Sequence, residues 1–208
     1  TYGMIEMIDA GVGRVTRQLE ALGIAQDTII VYTSDHGDMM GDHGLFLKGF
    51  MHYRGTMQVP MAINVPGKAA LRTNKLSSSI DLGPTLLDLC QVAAFDGIQG
   101  HSLVPLLDDA SATVRDAVLI EDDVAAITAK LTPIPGKTRT IVTENARYTR
   151  NSKGEEQLFN LAEDYNEMND LKRHDARLRG AMVDRLTDAL IEADDVARGA
   201  PATHHAAV

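Results

Sequence analysis

The sequence predicts an α/β fold whose architecture changes near residue 112. Three observations carry this. An amphipathic helical stripe at 4–22 runs into an apolar strand at 28–33. A second strand, 58–65, follows across a glycine-rich loop. Beyond residue 113, closely spaced strand patterns end in a long amphipathic helix. These divide the chain into an α/β part at 1–112, a smaller α+β part at 113–198 and a flexible tail at 199–208.

Each element has a local cause. Met4, Ile8, Val12, Val15, Leu19 and Leu22 recur at steps of four and three, one helical face, and Gly23 stops the helix. Thr28-Ile29-Ile30-Val31-Tyr32 is a short β-branched run and reads as a buried strand. Residues 37–55 contain five glycines and read as loop. The 58–65 strand is closed by Pro66-Gly67. A helix runs to Leu89, with Pro84 early enough to be tolerated, and 101–107 forms a short helical turn that His101 caps. Residues 117–121 and 138–143 read as strands, and 125–137, with Pro133, Pro135 and Gly136, loops out. Residues 146–150 and 156–161 flank Asn-Ser-Lys-Gly and read as a hairpin. The last helix, 175–193, carries its inner stripe on Leu178, Met182, Leu186, Ala189 and Ala193. Cys90, at the apolar end of its helix, is expected to be buried packing.

Composition narrows the function. Twenty-nine acids against 20 bases give a net charge of −9, which opposes nonspecific nucleic-acid binding. It does not oppose an anionic small molecule, because a local cation or metal inverts the field. No apolar run reaches membrane-spanning length, so the expectation is a soluble protein, leaning to the cytoplasm. One cysteine excludes an internal disulfide framework.

The most informative stretch is Thr33 to Gly49, Thr-Ser-Asp-His-Gly-Asp-Met-Met-Gly-Asp-His-Gly-Leu-Phe-Leu-Lys-Gly. Asp35 and His36 follow a strand, and open α/β sheets hold ligands at the carboxyl ends of their strands. Two metal-competent side chains with Lys48 downstream suit a tetrahedral anion. Spacing alone nevertheless favours Asp35 as a turn residue and His36 as a hydrogen-bonded neighbour.

The stretch resembles the C-terminal metal-and-lysine motif of the sulfatases, within the alkaline phosphatase superfamily. Further landmarks occur in the family's order: Tyr2-Gly3-Met4-Ile5, Val59-Pro60, Asp81-Leu82-Gly83-Pro84-Thr85-Leu86-Leu87-Asp88, Gly97-Ile98-Gln99-Gly100-His101-Ser102 and Glu156-Gln157-Leu158-Phe159-Asn160-Leu161. The resemblance implies a partial alkaline-phosphatase-like sheet with flanking helices, followed by a small antiparallel sheet with a packed helix. It implies hydrolysis of small-molecule sulfate esters.

Site roles follow from the same resemblance. Asp35 and His36 become ligands of a divalent metal. Many sulfatases carry Asn at the His36 position and use calcium; an imidazole favours manganese or zinc, with calcium and magnesium still open. Lys48 contacts the ester oxygens and offsets charge on the leaving oxygen. His52, in His52-Tyr53, binds the leaving group or donates a proton, with a structural hydrogen bond equally open. His43 is a substrate contact or a loop-fixing residue. The family's nucleophile is a formylglycine made in a Cys/Ser-x-Pro/Ala-x-Arg segment, and no such segment surrounds Cys90. The chain therefore resembles the C-terminal part of a sulfatase, and we read it as a fragment. It is expected to be inactive alone, to bind metal weakly and to self-associate through the face the other half would cover. Alternatives are a phosphonate or phosphate ester hydrolase of the same superfamily, and a non-catalytic module of this fold. Asp122-Asp123 and Asp194-Asp195 read as solvated acids, and His204 and His205 as bystanders in the tail.

Overall fold

The computed structural model describes residues 2–48, 51–124 and 136–197. Among them the elements are α1 (Tyr2–Ala21), β1 (Ile30–Thr33), α2 (Arg54–Met57), β2 (Met61–Asn64), α3 (Leu82–Leu89), α4 (Val104–Asp108), β3 (Ala117–Asp123), β4 (Lys137–Thr143), β5 (Ala146–Asn151), β6 (Glu156–Asn160) and α5 (Ala176–Ala197). The expected tail, with His204 and His205, and most of the 125–137 loop lie outside the described residues. No helix among those described is long and apolar enough to cross a membrane. The chain forms two compact units. One holds residues up to Ser34 with Val59–Ala70; the other holds Asp35–Gln58 and residues from Leu71 onward.

In the first unit β1 and β2 pair antiparallel, from Ile30 opposite Asn64 to Thr33 opposite Met61. Both strands are shorter than their apolar runs. Thr28 is held in a preceding 3-10 turn, its hydroxyl donating to Ile24 O at 2.7 Å. At the other end Pro60 has no N–H to contribute to a ladder. The apolar stripe of α1 exists as read, yet no residue of this helix is buried. Met4, Ile8, Val15 and Leu22 are each at least half exposed.

The second unit carries most of the core. β3, β4, β5 and β6 form an antiparallel meander in sequence order. The hairpin between β5 and β6 forms where expected, because the Asn151 side chain accepts from the N–H groups of Lys153 (3.0 Å) and Glu155 (3.1 Å). Strand alternation gives the sheet two unlike faces. Leu119, Ile141, Tyr148 and Leu158 stand in register on one face. Ile141, Tyr148 and Leu158 cluster there with Met182 and Leu186 of α5, flanked by Leu178 and Ala189, so the inner stripe of this helix is as read. Each such side chain contributes roughly 1.5–3 kcal/mol on full burial. Thr140, Thr149 and Gln157 form the adjacent row on the opposite face.

Two local expectations are corrected. Cys90 is exposed: it ends α3, whose buried positions are Pro84 and Thr85. His101 does not cap the following turn with its side chain. It offers its backbone N–H to Asp81 (2.9 Å), and the hydroxyl that accepts from Val104 N–H is that of Ser102 (3.3 Å). Asp81 pins this region. Fully buried, it also accepts from Ser78 N–H (2.7 Å) and from two nitrogens of Arg115. The close approach requires Gly100, since a side chain there would collide with the Ile80 carbonyl.

Candidate active site

The loop after β1 is tightly folded. Met40, His43 and Leu47 all have positive φ (50°, 53° and 66°), which costs non-glycine residues about 1 kcal/mol or more each. Its internal bonds hold it so: Asp42 N–H to Met39 O (2.7 Å), Gly41 N–H to Leu45 O (2.8 Å) and Met39 N–H to Leu47 O (3.2 Å). Met39, only 1% exposed, anchors the loop from within.

This loop brings Asp35, His36 and Lys48 together. His36 Nδ1 lies 2.8 Å from the Gly37 carbonyl, which can only accept, so Nδ1 carries the proton and Nε2 presents its lone pair. Lys48 Nζ stands 3.0 Å from that Nε2, and Asp35 Oδ2 lies 3.4 Å from it. The other carboxylate oxygen of Asp35 accepts the His36 backbone N–H at 2.9 Å. Asp35 and His36 side chains are open to solvent, at 83% and 40% exposure. A carboxylate, an imidazole lone pair and an ammonium thus converge at an accessible point. Hard oxygen plus borderline nitrogen, with the second imidazole nitrogen tied to a carbonyl, is a donor set that fits a divalent metal. No group of three or more His, Cys, Asp or Glu able to hold a metal occurs among the described residues.

Gly37 fixes the imidazole's anchor. Its N–H donates to Thr56 O at 2.8 Å, and its α-carbon lies directly against the Gly55 backbone. Only a residue without Cβ allows this approach.

The two remaining histidines sit differently. His43 occupies the Asp42–Gly44 turn and stacks on Tyr53, ring centroids 3.9 Å apart and planes 18° from parallel. It lines an open cleft together with Arg54 and Tyr165. His52 is buried, 7% exposed, and bonded through Nδ1 to Thr140 Oγ1 at 2.8 Å. Thr140 meets Thr149 Oγ1 (2.7 Å), which accepts from Arg147 Nη1 (2.7 Å). This chain of bonds ties His52 to the buried Arg147 through two threonine hydroxyls. Nε2 faces Asp122 Oδ2 at 3.9 Å. Burial lowers the His52 pKa below its ordinary value, Asp122 opposes that, and the nearby Arg147 and Arg139 reinforce it. Asp123, the neighbouring acid, pairs with Arg139 at 2.6 Å.

Sequence reasoning missed the charged pair beneath this segment. Arg147 and Glu167 are both buried and bonded to each other. Glu167 also accepts the Arg54 backbone N–H (2.7 Å), and Gln157 donates to the Tyr53 hydroxyl (2.8 Å). Twenty residues separate Arg147 from Glu167, and no periodicity links them.

Comparison with known proteins gives the family. Residues 1–92 match the Sulfatase family model. The chain is 34% identical over 176 residues to an arylsulfatase of Clostridium perfringens, covering 82% of this chain and 34% of that protein. It is 40% identical over 111 residues to an N-acetylglucosamine-6-O-sulfatase of Bacteroides thetaiotaomicron, covering 52% of this chain and 20% of that protein. Among solved structures, a protein in complex with its substrate D-glucosamine-2-N,6-O-disulfate matches with a TM-score of 0.76 and 27% identity, over 92% of this chain and 40% of that one. A phosphonate monoester hydrolase of Agrobacterium radiobacter matches at 0.77 and 30%, over 91% and 40%. The chain thus spans about a third of the arylsulfatase's length and two fifths of these structures. In sequence and in fold, it is a sulfatase-like member of the alkaline phosphatase superfamily.

Proposed function

We propose that this chain supplies the metal-and-lysine side of a hydrolytic site for sulfate esters. One observation carries the reading: Asp35 and Lys48 meet at the same imidazole nitrogen, whose partner nitrogen is tied to the Gly37 carbonyl. In this reading Asp35 Oδ2 and His36 Nε2 hold a divalent cation. Manganese or zinc suits the nitrogen donor best, and calcium or magnesium suits the carboxylate. When bound, the cation supplies positive charge that neutralises ester oxygens and lowers the pKa of the attacking group.

The chain's own residues do the rest. The Gly37 carbonyl holds the Nδ1 proton, keeping the Nε2 lone pair outward. Lys48 turns from His36 toward the ester and stabilises charge developing on the leaving oxygen. Tyr53 holds His43 by stacking. His52 fixes the segment carrying Tyr53 to β4. The nucleophile is not among these residues; in the resembled family it is a formylglycine, and this chain has no segment that would form one.

Phosphorus ester hydrolysis is the second reading, favoured by 30% identity with a phosphonate monoester hydrolase over 91% of this chain. The test uses the full-length protein with 4-nitrophenyl sulfate and 4-nitrophenyl phenylphosphonate, with EDTA and then added Mn²⁺. The expected result is preferred, EDTA-sensitive turnover of the sulfate, and a loss on the order of 10²–10³-fold in kcat for Lys48→Met. Preference for the phosphonate replaces the first reading by the second. Turnover of neither ester refutes both.

A further inference from the structure

Glu167 is unfavourable in two respects. Its carboxylate is buried, with the residue only 3% exposed, and its backbone adopts a conformation rare for L side chains (φ 57°). The surrounding turn holds it there. Its own N–H donates to Asp164 O (3.0 Å), and the Asp164 carboxylate accepts from the N–H groups of Met168 (3.0 Å) and Asn169 (2.7 Å). Apolar packing would stabilise the fold at least as well as the buried pair with Arg147. A residue kept in place against both costs marks a functional constraint.

Its two oxygens connect the C-terminal sheet to the candidate site. Oε1 accepts from Arg147 Nε on β5. Oε2 accepts from the backbone N–H of Arg54 at 2.7 Å, across 113 positions of sequence. Arg54 opens α2, a turn of four residues whose N-cap, Tyr53, makes no side-chain capping bond. Helix starts leave N–H groups without internal partners, and a single turn is not stable by itself. Glu167 supplies the acceptor that this turn lacks. The turn carries Gly55, whose backbone packs on Gly37, and Thr56, whose carbonyl accepts the Gly37 N–H (2.8 Å). The Gly37 carbonyl in turn fixes the His36 imidazole (2.8 Å). We propose that Glu167 is a positioning residue for the hydrolytic site, setting the His36 imidazole through the Arg54 N–H and α2. This rests on the ester-hydrolase reading above.

Two double variants of the full-length protein test this. Arg147→Met, Glu167→Gln keeps an amide oxygen for the Arg54 N–H, and Arg147→Met, Glu167→Leu removes it. Both lack the buried charges, so the acceptor is what separates them. With 4-nitrophenyl sulfate, kcat of the Leu variant should be about ten-fold below that of the Gln variant at similar KM, since a misplaced site is felt mainly in the transition state. Amide hydrogen exchange reads the same effect without turnover. Protection of the Arg54 and Gly37 amides should be about ten-fold lower in the Leu variant than in the Gln variant, with the β4 and β5 amides equal in the two. Equal kcat, or equal exchange at Arg54 and Gly37, overturns the proposal. So does a loss of protection spread evenly into β4 and β5, which marks ordinary destabilisation. If wild type turns over neither ester, the hydrolase reading fails, and the exchange measurement decides the role of Glu167 by itself. Should the Leu variant not fold, Glu167→Asp, which keeps the charge and shortens the reach by one methylene, takes its place and is compared with wild type under the same criteria.

Discussion

Gly37→Ala tests whether the imidazole is held by backbone packing. A Cβ at residue 37 would lie 3.0 Å from the Gly55 carbonyl carbon, 3.4 Å from Thr56 Cα and closer still to the Gly55 oxygen. Ordinary carbon contacts lie at about 3.5–4.0 Å, so the backbones must part by at least about 0.5 Å, and by more at the oxygen. Backbone cannot rotate aside as a side chain can. The separation weakens the 2.8 Å bond from Gly37 N–H to Thr56 O and carries the Gly37 carbonyl away from His36 Nδ1. Overpacking costs about 1–3 kcal/mol and the hydrogen bond about 1 more, so the variant should lose about 2–4 kcal/mol. On the proposed reading, in which His36 binds a metal, displacing the carbonyl that orients it should also weaken Mn²⁺ binding by about 10–100-fold. Urea unfolding and calorimetric Mn²⁺ titration of the full-length protein measure both effects. Gly83→Ala in α3, where an added Cβ meets nothing within 4 Å, is the control and should be neutral or stabilising. If Gly37→Ala unfolds within about 0.5 kcal/mol of wild type, as surface changes do, and binds Mn²⁺ equally well, the packing argument is wrong.

Three further outcomes are expected. Glu167→Gln strands the buried Arg147 without a counter-charge and should cost about 3–5 kcal/mol in urea unfolding, most of it recovered in the double variant Arg147→Met, Glu167→Leu; a double variant as unstable as the single one contradicts this. His52, with its pKa lowered by burial below the ordinary 6.5, stays neutral in the folded state, whereas the unfolded chain takes up a proton below about pH 6.5. Its contribution is therefore present above pH 6.5 and lost as pH falls toward the folded value, and stability curves of His52→Gln should be flatter over that window than those of wild type. The exposed stripe of α1 should make the purified 208-residue chain self-associate, and Ile8→Glu should suppress this in sedimentation velocity; a wild-type chain that stays monomeric at high concentration rules it out.

What the sequence showed clearly was local. The Asn151 turn and the α5 stripe each depend on residues close in the chain, and each formed where read. The stripe of α1 was equally legible, but periodicity says which face is apolar and not what covers it. Cys90 was misjudged because a helix end turned it outward. The partner of His52 lies 88 residues away on β4, and Arg147 meets Glu167 through the sheet, so neither contact has a short-range signature.

Those long-range contacts share one geometry. On the face away from α5, Thr140, Thr149 and Gln157 form a single cross-strand row, with Arg147 next to it in the chain. Each reaches toward residues 52–54: Thr140 holds His52, Gln157 holds the Tyr53 hydroxyl, and Arg147 holds Glu167, which takes the Arg54 N–H. Residues 53–56 in turn clamp the motif loop, by the Tyr53 stack on His43, the Gly55 contact with Gly37 and the Thr56 bond. A loop with three non-glycine residues at positive φ does not hold that shape unaided. Burying threonines and an arginine on a sheet, with a glutamate packed against them, is a poor way to gain stability, since desolvation offsets much of the attraction. It is an effective way to hold a strained loop in one conformation. The C-terminal sheet is therefore best understood as a brace that preorganises Asp35, His36 and Lys48, with its apolar face providing the stability that its polar face spends on position.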